Sequence, residues 1–405
     1  MKSATADVET KNLTRWLVLA GVWLLYFSFG LNLASLAPLV TFIEADLQIS
    51  HSAMGAVLGV WQFVYIVASV PCGILIDRVG SRYAFTAGAL LIAVSAIGRS
   101  LAGDYVQLLL AVGAFGLGGP IISAGAPKMI AGWFQGRERG LAMGIYITGF
   151  GVGSILSLTL TNSILMPWFN EDWRLVLRFW GLLTLLAGAV WFVISWLPAV
   201  RDGKHTSIRI KGALVMPLLR LRSVQLVLLM SIGVLFFTHG LSNWMPELLR
   251  SGGMSVDQAS LWAAVPVVVA IAGALVIPRL ASGEYRYRVL LLLFLCAIGA
   301  SVLLRAALGP VLVSGLILDG IARSSMTTVL ILTLVETRGI GEERAGSAAG
   351  LYFSVAEIGG VAGPVMLGVL YDATGDFSGG LGLLTAISLL LVLALGRLKK
   401  HAGLS

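Results

Sequence analysis

Charge is what this chain of 405 residues has least of: Asp, Glu, Lys and Arg make up 12% of it, about half the share near 25% of a soluble globular protein. Length alone would permit two or three soluble domains, but so little polar surface could not cover their cores. Cysteine is equally sparse. Cys72 and Cys296 stand far apart in separate apolar segments, which excludes a disulfide scaffold and offers no metal-ligand spacing. Both are expected as free, buried thiols. No cluster of histidine, cysteine and acid outlines a metal centre, and no phosphate-binding loop outlines an ATP motor. A convergent set of nucleophile, base and orienting group is missing too, so neither cofactor nor catalysis is expected.

Apolar residues fill the space that charge leaves. They amount to 58% of the chain, with 49 glycines besides, a composition that excludes disorder. Continuous apolar runs near 20 residues recur throughout, each long enough for a helix to cross about 30 Å of hydrocarbon. Alternation at period two, the mark of a membrane β-barrel, is not their pattern. The runs predict helices at 17–40, 53–76, 83–101, 105–129, 140–165 and 176–198, then at 223–247, 258–280, 288–307, 310–333, 344–369 and 379–397. The first follows Lys11-Asn12-Leu13-Thr14-Arg15 and is too long for a cleaved signal peptide, so it is read as a retained span.

The expected fold class is an all-α polytopic membrane protein with twelve transmembrane helices in two six-helix bundles related by an internal repeat. The division runs as follows: an N-terminal segment 1–16, a first bundle 17–198, a linker 199–222, a second bundle 223–397 and a tail 398–405. With the N-terminus inside, most of the 28 Lys and Arg residues fall on the inner side, the asymmetry that orients membrane proteins. Arg99, Arg174, Arg178, Arg250 and Arg305 lie towards the outside, and Arg323 is left in mid-span. The net charge of +8 is thereby explained by orientation without a nucleic-acid partner, and both termini are expected to be cytoplasmic. The repeat pairs Glu138-Arg139 with Glu343-Arg344. At an offset of 206 residues it pairs Gly144-Ile145-Tyr146 with Gly350-Leu351-Tyr352, and Gly153 with Gly359. Six-span repeats suit a transporter whose bundles rock around a site between them.

The run Gly73-Ile74-Leu75-Ile76-Asp77-Arg78-Val79-Gly80-Ser81-Arg82 follows the second span and resembles the signature loop of the major facilitator superfamily. Trp133-Phe134-Gln135-Gly136-Arg137-Glu138-Arg139-Gly140, before the fifth span, is similar to members that carry small organic or inorganic anions. The resemblance implies a secondary transporter in the cytoplasmic (inner) membrane of a bacterium, working as a monomer by alternating access. It also implies a conformational latch of Gly73, Asp77, Arg78, Gly80, Arg82 and Arg139. Physically, an acid at the membrane boundary can cap a helix end or pair with an arginine, and such contacts break when the halves rearrange. The second copy has decayed, since Gly283 stands where Asp77 would repeat.

The residues that do not belong in hydrocarbon carry the functional expectation. Asp319 and Arg323 lie four apart in the tenth span, on one helical face, and can pair. Glu357, halfway through the eleventh span, is then either bound to Arg323 as well or protonated in a dry site. Arg323 is expected to attract an anionic substrate, with Asp319 or Glu357 exchanging the coupling proton. The alternative role for all three is a static ion-pair network. Asn32, Trp61, Tyr65, Tyr146, His239, Asn243 and Tyr352 complete the expected substrate cavity, with Gln62 in the same helical stripe as Trp61 and Tyr65. Arg99 is expected to snorkel to the interface. The partners are therefore a small-molecule solute, membrane lipid and a proton, in symport or antiport of an organic anion. A second reading on the same fold is efflux of multidrug or hydrophobic solutes by proton antiport.

Overall fold

An amide without a hydrogen-bond partner is costly in hydrocarbon, so long apolar runs become helices. The computed structural model describes residues 2–197, 200, 221–281, 285–306, 308–335 and 341–401. Side chains are described from 13 onward, excepting those of 70, 77, 81, 124, 137, 341–347 and 401. Most of the expected linker lies outside these residues, as does Gly283 of the decayed second signature.

Twelve helices among the described residues are long and apolar enough to cross a membrane. The first half holds α1 Leu13–Leu47, α2 His51–Ser69, α3 Arg82–Ser100, α4 Tyr105–Trp133, α5 Glu138–Trp168 and α6 Trp173–Ser195. The second holds α7 Arg222–Ser251, α8 Val256–Leu280, α9 Tyr285–Leu303, α10 Pro310–Val335, α11 Ala348–Thr374 and α12 Ser378–Lys400. The chain is an all-α polytopic membrane protein with six helices to each half.

Two elements differ from the hydropathy reading. The first span is not one regular helix: it stops at Ala34, makes a short 3-10 turn at Ala37–Leu39 and resumes over Val40–Leu47. Pro38 lacks the amide hydrogen a regular helix would use there, and the break frees carbonyls that need donors. Arg99 donates to the Asn32 carbonyl at 3.1 Å, and Asn162 Nδ2 donates to that of Pro38 at 2.9 Å. Arg99 is thus buried against the break and does not snorkel, because the Asn32 carbonyl, which also accepts from Ser35 Oγ at 2.8 Å, holds its guanidinium there. The second difference lies beyond α2. The helix does not end where the apolar run does, and continues from His51 to Ser100 with one break, at Gly80. The φ of Gly80 is +79°, a conformation that explains a glycine at this place.

By their internal contacts the residues form two compact units. One takes the chain up to Leu39 and from Phe63 through α6; the other takes Val40–Gln62 and everything from α7 onward. In the first unit α5 crosses α1 backbone to backbone. A Cβ on Gly149 would stand 2.7 Å from the Trp23 carbonyl oxygen, and one on Gly153 would overlap that of Phe27. In the second, α11 crosses α7 in the same manner, with Gly359 on the Ile232 carbonyl oxygen and a Gly363 Cβ 2.5 Å from that of Phe236. Gly153 and Gly359 are a repeat-matched pair, so the offset in sequence marks an equivalence in packing. The other matched pair, Gly144 and Gly350, faces open space. The start of α2 packs in the second unit by the same device: a Cβ on Gly55 would lie 2.6 Å from the Pro364 carbonyl oxygen, and one on Gly59 2.9 Å from that of Val361.

One substitution at two sites separates packing glycines from idle ones. Gly359→Ala forces α11 off α7 and is expected to lower unfolding stability in detergent by about 1–3 kcal/mol. Gly140→Ala, with nothing within 4 Å of the new methyl, is expected to be neutral or stabilising by up to about 1 kcal/mol. Thermal unfolding of the purified variants checks both.

Candidate functional site

A charge buried at membrane depth persists only if the protein supplies partners. In the second unit α10 places Asp319 and Arg323 one turn apart. Arg323 Nε stands 3.3 Å from Asp319 Oδ2, with side-chain exposures of 8% and 0%. The pair is coulombic without hydrogen-bond alignment: neither Asp319 oxygen, nor Arg323 Nε, has a hydrogen-bond partner among the described residues. Arg323 Nη1 donates instead to Ser242 Oγ on α7. Asp319 therefore balances the guanidinium charge while leaving N–H groups for something else.

One turn back from Ser242, on the same face of α7, stands His239. Its Cδ2 is 3.3 Å from where a Cβ on Gly360 of α11 would be, Gln62 Cγ of α2 is 3.4 Å away, and Glu357 Oε2 touches the same point. The Trp61 and His239 rings meet edge to face at 5.8 Å. Glu357 is 7% exposed, and no ion pair joins it to Arg323 among the described residues. Its Oε2 has no hydrogen-bond partner among them either. Of the two states open to Glu357 from sequence, binding to Arg323 is not the one this structure contains. Asn243 turns its amide back onto the His239 carbonyl at 2.8 Å. Tyr352 is fully buried in the same unit, edge to face with Phe353 at 5.6 Å.

The remaining expected cavity residues belong to the first unit. Asn32 is buried and donates to the Ser28 carbonyl at 2.8 Å and to Thr184 Oγ1 at 2.7 Å. Tyr65 shares a hydrogen bond with Ser123 at 2.8 Å. Tyr146 is buried, its ring edge to face with that of Tyr26 at 5.0 Å. Among the latch residues, Arg82 lays its guanidinium over the Trp196 ring, 3.6 Å from the centroid. Arg139 donates to the Phe134 and Ala131 carbonyls at 2.9 and 3.1 Å, capping the end of α4, where a cation opposes the helix dipole. Gly73 faces open space, Arg78 is exposed, and the side chain of Asp77 lies outside the described residues.

A second polar group fastens Val40–Gln62 to α7 and α11. Glu247 takes two hydrogen bonds from Arg250, at 2.8 and 2.5 Å, and one from Thr41 at 2.8 Å. The His51 ring nitrogens stand 3.3 Å from Glu44 and 3.7 Å from Glu247. Its ring stacks on Tyr371 at 3.8 Å and on Trp244 at 5.3 Å. Asp372 accepts the first free amides of α2, from His51 at 3.1 Å and Ser52 at 2.8 Å. Sequence reasoning missed Glu44, His51 and Asp372, which sit near predicted helix ends where charge is unremarkable. It also missed Ser242, which hydropathy does not single out.

The profile of the Major Facilitator Superfamily matches residues 22–364. The chain belongs to that superfamily. It is a secondary transporter of small organic solutes. Among similar proteins, the hexuronate transporter of Bacillus subtilis is 23% identical over 86% of this chain and 86% of that protein. The quinolone resistance transporter of Acinetobacter baumannii is 26% identical over 85% of this chain and 84% of its own. Among solved structures, a bacterial homologue of the human lysosomal transporter Spinster, inward-facing and unoccupied, has a TM-score of 0.76. It is 17% identical, over 96% of this chain and 97% of that one, and is similar in fold.

The Asp372 contact is testable as a helix cap. Asp372→Ala leaves the His51 and Ser52 amides without their carboxylate and is expected to cost about 1 kcal/mol of stability, read as a lower melting temperature in detergent. An unchanged melting temperature would show that Asp372 does not hold α2.

Proposed function

We propose that this transporter moves a small organic anion by alternating access and couples the movement to a proton carried on Glu357. The observation that carries the reading is Arg323, a buried guanidinium whose charge is balanced by Asp319 and whose Nε is left without a hydrogen bond. A carboxylate accepts such N–H groups in a charge-assisted geometry. Glu357 supports the coupling, because an unpaired carboxyl at depth is stable when protonated and seeks water or a cation when ionised. Asp319, already committed to Arg323, is the weaker carrier. The hexuronate transporter supports an anionic organic solute.

Sidedness follows the charges. Along the sequence most Lys and Arg fall in the segments on the N-terminal side of the membrane, and the positive-inside rule makes that side cytoplasmic. The protein is then a monomeric carrier of a bacterial inner membrane, with Asp77, Arg78, Arg82 and Arg139 at its inner boundary as the latch. Within the first unit Asn32, Tyr65 and Tyr146, and within the second His239, Asn243 and Tyr352, are each unit's own proposed solute-lining residues. Efflux of hydrophobic solutes is favoured by one observation, the quinolone resistance relative, and by nothing around Arg323.

Two variants test the reading in proteoliposomes. Glu357→Gln is expected to abolish accumulation driven by a pH gradient while leaving solute exchange intact; retained proton-driven accumulation would overturn the coupling. Arg323→Gln is expected to raise the KM for the anion by on the order of tenfold or more, the scale of a lost hydrogen bond to a charged group. Transport of amphiphilic cations with undiminished affinity in that variant would favour efflux.

A further inference from the structure

Gln62 is buried without exposure, and neither its Oε1 nor its Nε2 has a hydrogen-bond partner among the described residues. Buried amides are ordinarily paired, and a leucine would fill this place without an unmet donor or acceptor. Its surroundings show the same deficit. A Cβ on Gly360 would stand 3.4 Å from Gln62 Cγ and 3.3 Å from His239 Cδ2 and would press on Glu357 Oε2, so the three side chains close on this glycine, and that oxygen is also buried and unpaired. Three helices, α2, α7 and α11, thus converge on one glycine with several hydrogen-bonding atoms unused.

The chemistry of those atoms selects a ligand. An amide presents an acceptor at Oε1 and two N–H donors at Nε2. A carboxylate or inorganic anion only accepts, so it would pair with Nε2 and leave Oε1 stranded. An alkyl or aromatic surface pairs with neither. A hydroxyl both donates and accepts, and neighbouring hydroxyls can satisfy Oε1, Nε2 and the Glu357 carboxyl in either protonation state. Arg323, bound to Ser242 one turn along α7 from His239, is placed for a carboxylate on the same solute.

We propose that Gln62 and Glu357, whose side chains close on Gly360, form a hydroxyl-recognising subsite, so that the transported anion is a hydroxylated organic acid. The proposal rests on the organic-anion reading above and narrows it. Discrimination arises because a solute without hydroxyls leaves the buried amide unpaired, the situation in which sites built for hydrogen bonding reject analogues most strongly.

D-gluconate and hexanoate test this directly, since both have six carbons and one carboxylate and differ in their hydroxyls. Binding of each, and of D-glucuronate, is measured on the purified full-length protein in detergent by ligand-dependent thermal stabilisation. The wild type is expected to bind the better hydroxy acid at least roughly tenfold more tightly than hexanoate. Gln62→Leu is expected to bring that ratio to within about threefold while hexanoate affinity stays unchanged. Gly360→Ala, whose methyl would push the Glu357 carboxyl aside, is expected to weaken the hydroxy acid selectively. Should Gln62→Leu fail to fold, Gln62→Met and Gln62→Asn are read for the same ratio. Equal binding of hexanoate and the hydroxy acids by the wild type, or an undiminished ratio in the folded Gln62 variants, would overturn the subsite alone. Binding of none of the three acids by the wild type would overturn the organic-anion reading and the subsite with it.

Discussion

Hydrocarbon supplies no hydrogen-bond partner, and every polar group carried to membrane depth must find one in the protein or in what the protein binds. The helices themselves are the first consequence, because only they satisfy a spanning backbone from within. The break in α1 shows the same pressure at one place. Where Pro38 ends the regular ladder, the side chains of Arg99 and Asn162 come in from α3 and α5 to take up the released carbonyls. The arginine that hydropathy would leave at the surface is drawn inside by that demand.

Close packing is the second consequence. Apolar side chains gain little by leaving lipid for one another, so helix pairs associate where backbones can approach. Gly153 of α5 on α1 and Gly359 of α11 on α7 do this at equivalent positions in the two units. The repeat offset therefore preserves a contact rather than a composition. Glycines at other matched positions face open space, which explains why glycine spacing by itself overstates how many of them pack.

The proposed functional region is where the demand for partners is left unmet. Asp319 neutralises Arg323 without occupying all of its donors. Glu357 and Gln62 are buried against Gly360 with atoms unpaired. A folded protein tolerates such groups when a solute or a proton supplies what is missing, and these are the chemistries that the proposed coupling requires.

The sequence by itself determined the twelve helices, the membrane environment, the two halves and their repeat, because those follow from run lengths, charge placement and local residue spacing. It also singled out Asp319, Arg323 and Glu357, since a charge within a long apolar run is conspicuous wherever it falls. Only the tertiary structure decided which of them pair. Asp319 and Arg323 are four residues apart on one helix, so their contact was legible. Whether Glu357 joins them depends on how α11 crosses α7 and α10, which no spacing along one helix encodes. The same holds for Gln62, an ordinary polar residue in a stripe until α2 brings it against Gly360. Its partition with the second unit comes from backbone contacts at Gly55 and Gly59 and from the Asp372 cap, more than three hundred residues away in the chain. Local periodicity records which face a residue occupies; only the fold decides what that face meets.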